Sequence, residues 1–135
     1  MKKIVSVALV MLMTMGIMTG CGGTEEVKHK LEYVDGKKME ILYNDITLNS
    51  VSIFTKYTNS SGESAIPADN VNVKAYQNGT ELSPWVFTGE KTEGYVQCDT
   101  SIQDGTTADV IWIFELEDDS EVSVEFEDGQ KFTVE

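Results

Sequence analysis

The sequence predicts an all-β fold, an antiparallel sandwich of about seven to nine short strands. Three observations carry that expectation. From Leu31 onward apolar and polar residues alternate, and no window keeps a helical period for long. Turn signals punctuate the alternation at Asp35-Gly36, Asn78-Gly79 and Asp128-Gly129. One segment, Thr107 to Leu116, is apolar on both of its faces, as a strand covered on two sides must be.

Taken in order, Leu31 to Val34 and Met39 to Tyr43 read as two strands flanking a turn at Asp35-Gly36. Ile46 to Thr58 follows, dense in β-branched and aromatic residues. Asn59-Ser60-Ser61-Gly62 breaks the chain, and a polar loop runs to about Asn70. Val71 to Gln77 alternates, and Asn78-Gly79 suits a type I′ turn, whose two central residues both need positive φ. A two-residue loop there pairs Ala75 with Leu82, apolar with apolar. Trp85 to Phe87 and Tyr95 to Cys98 are short strands. In Thr107 to Leu116, Val110, Trp112, Phe114 and Leu116 share one face, and Ile111 with Ile113 form the other. Glu115 to Glu121 is an acidic turn. Val122, Val124 and Phe126 then alternate with polar residues. A three-residue loop at Asp128 to Gln130 would pair Phe126 with Phe132 and Val124 with Val134; a loop one residue shorter would turn one strand's apolar set to solvent.

Ahead of the domain lies a leader. Lys2 and Lys3 precede an uncharged, mostly apolar run from Ile4 to Met18, shorter than the roughly 20 residues a membrane-spanning helix needs. Gly20 then places a minimal side chain before Cys21. The stretch Met18-Thr19-Gly20-Cys21 resembles the lipobox of bacterial lipoproteins, which implies a diacylglyceryl group on the Cys21 sulfur. The chain therefore divides into a signal peptide at 1–20, a polar tether at 21–30 beginning with lipidated Cys21, and a sandwich at 31–135. The expected location is extracytoplasmic, anchored to the bacterial cell membrane through the lipid. His29 falls in the tether and is expected to face solvent.

The formal net charge of the 135 residues is −13, and every basic residue is a lysine. Losing Lys2 and Lys3 takes the balance to −13 − 2 = −15. Such a surface repels nucleic acid and anionic headgroups, which excludes a nucleic-acid-binding role. With Cys21 carrying lipid, Cys98 has no partner in the chain, so no internal disulfide is expected. Cys98 is then a buried small hydrophobe or a free thiol, and burial is favoured. Asn59-Ser60-Ser61 and Asn78-Gly79-Thr80 match a glycosylation sequon, against which the bacterial leader argues.

Chemistry is thinly represented. There is no Arg, no phosphate-cradling glycine loop and no G-x-S-x-G, so no catalytic residue is assigned. No cofactor is implied. The acidic cluster Glu115, Glu117, Asp118, Asp119 and Glu121 is the best calcium candidate, but it lacks the spacing of a calcium loop; a solvated turn is favoured, and no metal ligand is assigned. An apolar recognition surface is the remaining option. It could form from Ile111 and Ile113, or from Trp85 with Phe87 and Tyr95, unless neighbouring strands including Leu31 to Tyr43 cover them.

Three segments carry a family resemblance: the strand ending Phe54-Thr55-Lys56-Tyr57-Thr58-Asn59, the segment Ala75-Tyr76-Gln77-Asn78-Gly79-Thr80-Glu81-Leu82, and Val110 to Leu116 followed by Val122-Ser123-Val124. In this order they resemble bacterial lipoproteins of the domain-of-unknown-function 5067 family, from about Lys37 to the C-terminus. The resemblance implies an immunoglobulin-like fold and no assigned activity, and it carries over no functional residues. The expected role is a non-catalytic binding module for an unknown protein or envelope ligand. The alternatives are an accessory or structural subunit of an envelope complex and a calcium-dependent adhesion module.

Overall fold

The computed structural model describes residues 27–135. The leader, Cys21 and most of the expected tether lie outside them. In chain order the strands are β1 (His29–Tyr43), β2 (Ile46–Asn59), β3 (Val73–Gln77), β4 (Thr80–Glu81), β5 (Pro84–Trp85), β6 (Lys91–Thr92), β7 (Tyr95–Gln97), β8 (Thr106–Glu115), β9 (Val122–Phe126) and β10 (Lys131–Val134). A one-turn helix, α1 (Pro67–Asn70), interrupts the loop after β2. One sheet runs β1-β2-β8-β7-β6, with β5 also pairing β8, and the second runs β10-β9-β3-β4. All pairings are antiparallel except β7 with β8, which is parallel. The expected all-β sandwich is present, with several of its strands only two residues long.

The first hairpin corrects the sequence reading. Leu31 to Tyr43 is one strand, not two, and Asp35-Gly36 is not a turn. The register shifts between Tyr33 and Asp35, and pairing with β2 then continues to Tyr43 opposite Ile46. The chain reverses instead at Asn44 and Asp45, whose φ angles of 51° and 64° supply the left-handed pair of a two-residue turn without glycine. Gly36 serves a close approach. A Cβ there would lie 2.5 Å from Cγ2 of Val134 and 2.9 Å from the Tyr33 hydroxyl, so β10 crosses β1 where no side chain stands. The strand also begins two residues earlier than expected, because His29 pairs with Asn59.

Two apolar clusters follow from the two faces of the large sheet. On the inner face Val51, Ile53, Tyr57, Val110, Trp112 and Phe114 meet Val73, Ala75, Val122, Val124, Phe126 and Phe132 of the second sheet. Trp112 sits in this core as expected, and its indole N–H donates to Thr55 Oγ1 at 3.0 Å. Thr55 in turn donates to the Val110 carbonyl at 2.8 Å, so the buried polar atoms satisfy one another. On the outer face Leu48, Phe54, Phe87, Ile111 and Ile113 form a second cluster. β8 is therefore covered on both sides, as its double apolar pattern required.

The Asn78-Gly79 hairpin also forms as read. The Leu82 N–H reaches the Ala75 carbonyl at 2.7 Å. The last loop has the expected length but sits one residue earlier, at Glu127 to Gly129. Phe126 N–H meets Gln130 O at 2.9 Å, and Phe132 pairs with Val124 rather than Phe126. The reason is Gly129, with φ of 97°. A three-residue hairpin loop places its left-handed residue last, and the expected loop would have put Gln130 there. The slip is an even number of residues, so Phe126, Val124, Phe132 and Val134 all stay buried.

Candidate functional site

The outer face of the large sheet carries several of the exposed apolar residues, Tyr43, Ile46 and Trp85 among them. Strand alternation puts Met39, Ile41 and Tyr43 of β1 beside Ile46 and Leu48 of β2 on that face. Ile111 and Ile113 of β8 continue it, and Trp85 of β5 pairs with Ile113. Toward the middle, the segment after β5 folds back over the sheet. Phe87 packs 6.0 Å from Trp85 and 5.1 Å from Tyr43, while Tyr95 meets Phe54 edge-on at 4.8 Å. Gln97, almost fully buried, pins this segment by accepting the Phe87 N–H at 3.1 Å and donating to Thr92.

The sequence candidates divide accordingly. Ile111 and Ile113 are covered, with 0% and 2% exposure, and so is Phe87. Met39 and Ile41 are among the residues that cover them, as the reading of Leu31 to Tyr43 allowed. Trp85 remains 37% exposed, its indole N–H donating to Glu115 at 3.2 Å. Around it lies a rim the sequence reading did not single out: Tyr43 and Ile46, with Ile46 57% exposed, and Val86 exposed next to Trp85 in the chain. Leu42 is exposed too, but alternation puts it on the opposite face of β1. An exposed aliphatic residue alone means little, whereas a cluster sharing one face marks an interaction surface. A signal was present: apolar residues on both sides of Asn44-Asp45, where a hairpin tip is usually polar.

The acidic turn is held from inside. Gln77, 1% exposed, accepts the N–H groups of Glu117 and Asp118 and donates to the carbonyls of Asp118 and Ser120. The Lys38 ammonium caps the carbonyls of Asp119 and Ser120 at 2.9 and 2.7 Å. Hydrogen bonds from Ser120 lower the pKa of Asp118. Among the described residues no group of three His, Cys, Asp or Glu side chains is placed to share an ion. The carbonyls that could have faced calcium face a lysine instead.

The remaining candidates are structural in their surroundings. His29 is half-buried in β1 rather than free in a tether, because its ring packs on Tyr57 and its Nδ1 lies 2.6 Å from the Tyr57 hydroxyl. Burial pushes the Cys98 thiol up to about 11, with Asp99 adding to the shift. Asn59 is wholly buried and its amide donates to the carbonyls of Glu63 and Ile102, which removes it as a glycan acceptor.

The model of a domain of unknown function, DUF5067, matches residues 29–128. The chain belongs to the DUF5067 family. The match begins at His29, where β1 begins, so this DUF5067 domain takes in the whole first hairpin and not only the part from Lys37. A search of curated proteins gives no match. Among solved structures, the chain is similar to a "putative lipoprotein" from Staphylococcus aureus subsp. aureus NCTC 8325. The TM-score is 0.54 at 15% identity, over 80% of this chain and 83% of that one. At that identity the likeness shows that the DUF5067 domain shares a fold with the staphylococcal protein.

Proposed function

We propose that this protein is a non-catalytic interaction module, held on the bacterial membrane by a lipid on Cys21 and binding its partner through the rim around Tyr43, Ile46 and Trp85. The position of that rim supports the reading. β1 enters the domain at His29 and reaches the rim at Tyr43, a path of about 45 Å at roughly 3.3 Å per residue. A tether from Cys21 to Lys28 extends at most about 25 Å. The exposed apolar residues thus sit at the end of the hairpin farthest from the point of attachment, presented away from the bilayer. The side chains that could do chemistry are otherwise engaged: His29 with Tyr57, and Cys98 as a buried, poorly ionised thiol.

The test is positional. A photo-crosslinking residue at position 46 of the full-length protein, in its own cells, is expected to capture a discrete partner. The same residue at position 131, exposed on β10 of the other sheet, should not. Equal capture from both positions, or none from position 46, would remove the rim from consideration.

A further inference from the structure

The free edge beside the rim says what shape and charge the partner brings. β1 is the last strand of its sheet, and among the described residues it pairs with β2 alone. Its distal half, Lys38 to Tyr43, is regular. Tyr43 and Ile46 flank a two-residue turn and so form a hydrogen-bonded pair, and the alternation of an antiparallel ladder fixes the rest. Tyr43, Ile41 and Met39 turn their N–H and C=O groups toward β2. Leu42, Glu40 and Lys38 turn theirs to the open edge. Two hydrogen bonds agree with that phase: Ser50 Oγ donates to the Met39 carbonyl, and the Asn49 carbonyl, opposite Glu40, points away from β1 to accept from Leu116. An unpaired row of this kind is a template for another strand.

The two sides of the row differ in chemistry. Above it, on the outer face, stand Met39, Ile41 and Tyr43, continuous with Ile46. Below it, on the face that also carries exposed Leu42 at the hairpin tip, is a concavity of about 430 Å³ lined by Glu40, Glu117, Asp118 and Asp119, with Lys38 the one cation. That ammonium is already committed to two backbone carbonyls. Because successive side chains of a strand point to opposite faces, an added strand would set one series on apolar surface and the other against carboxylates. A second copy of this chain fits poorly. It is itself strongly acidic, and a two-fold pairing centred on Glu40 opposes like charges.

We propose that the edge of β1 from Lys38 to Tyr43 accepts, as an added strand, a partner segment in which apolar residues alternate with lysine or arginine. This rests on the rim being a binding surface and names what binds beside it. The probe is a synthetic peptide of about eight residues alternating Val and Lys, added to the full-length protein in detergent. Controls are the same residues in two blocks, and Val alternating with Glu. The alternating Val-Lys peptide should bind at least about tenfold more tightly than either control. It should also slow amide exchange at Glu40 and Leu42, while leaving Ile41, already paired with β2, unchanged. Glu40→Lys should weaken its binding and favour the Val-Glu peptide. Glu40→Pro removes an outward N–H that the β1–β2 ladder does not use, and should weaken binding with an unchanged near-ultraviolet signal from buried Trp112.

Equal affinity for the blocked peptide, binding without slowed exchange at Glu40 and Leu42, or no binding would each overturn the proposal. So would a dimer in light scattering that protects the same amides without peptide. If the crosslink from position 46 persists in Glu40→Pro while the peptide results fail, the rim stands as a binding surface and the added strand does not.

Discussion

A methyl group on Gly36 would have to displace Val134, which is 4% exposed and fixed in β10. Gly36→Ala is therefore expected to cost about 1–3 kcal/mol in urea denaturation, the usual range for overpacking a filled site. Shortening the obstacle should recover part of it, so Gly36→Ala with Val134→Ala should lose less than the sum of the two single variants. Cys98 makes a prediction in pH. Its folded pKa of about 11 exceeds the ordinary thiol value of 9.0, so between these values the unfolded chain gives up a proton that the folded one keeps. The contribution is full below pH 9.0 and is lost as the pH rises through about 11. Burial also raises Tyr57 and Tyr33, which adds loss in the same direction above pH 10.0. Melting temperatures from pH 8 to 11 should fall, and Cys98→Ala should make that fall shallower; an unchanged slope would show that Cys98 does not contribute.

At the scale of elements, Gln77 joins the end of β3 to the acidic turn through both ends of its amide. Gln77→Ala leaves the Glu117 and Asp118 N–H groups and the Asp118 carbonyl without this partner, while Ser120 keeps Lys38, and should cost about 1–3 kcal/mol while speeding amide exchange at Glu117 and Asp118. Exchange left unchanged there would mean the turn is held by other contacts. The elements that could be read in advance share a physical reason. In the Asn78-Gly79 hairpin, turn chemistry and apolar register gave one answer, and in β8 the double apolar pattern admitted only a central strand. Where reading failed, a long-range contact had overridden a local signal. Asp35-Gly36 looks like a turn only until Val134 is known to lie over it. Asn44-Asp45 lacks the glycine that usually announces a left-handed pair. The parallel pairing of β7 with β8 has no local signal at all. The rim was half legible: Trp85 stood out, but Tyr43 and Ile46 join it only once the first hairpin is drawn to its full length.

For the molecule as a whole, the large sheet is apolar on both faces while only one is covered by the second sheet. The other depends on Phe87 and Tyr95 for its cover, and that cover stops short of the hairpin tip. A domain folding for stability alone would gain little from apolar side chains there, since Ile46 stays largely in solvent and buries little area. On the proposed function, the rim is kept for contact with a partner. The most direct measurement pairs stability with capture in one variant, Ile46→Lys, carrying the photo-crosslinking residue at position 85. The melting temperature should stay within about 2 °C of the parent that carries the same crosslinker, as surface substitutions usually do, and the crosslinked partner should disappear. A melting temperature that drops as it would for a core residue, or a partner captured as before, would contradict the account.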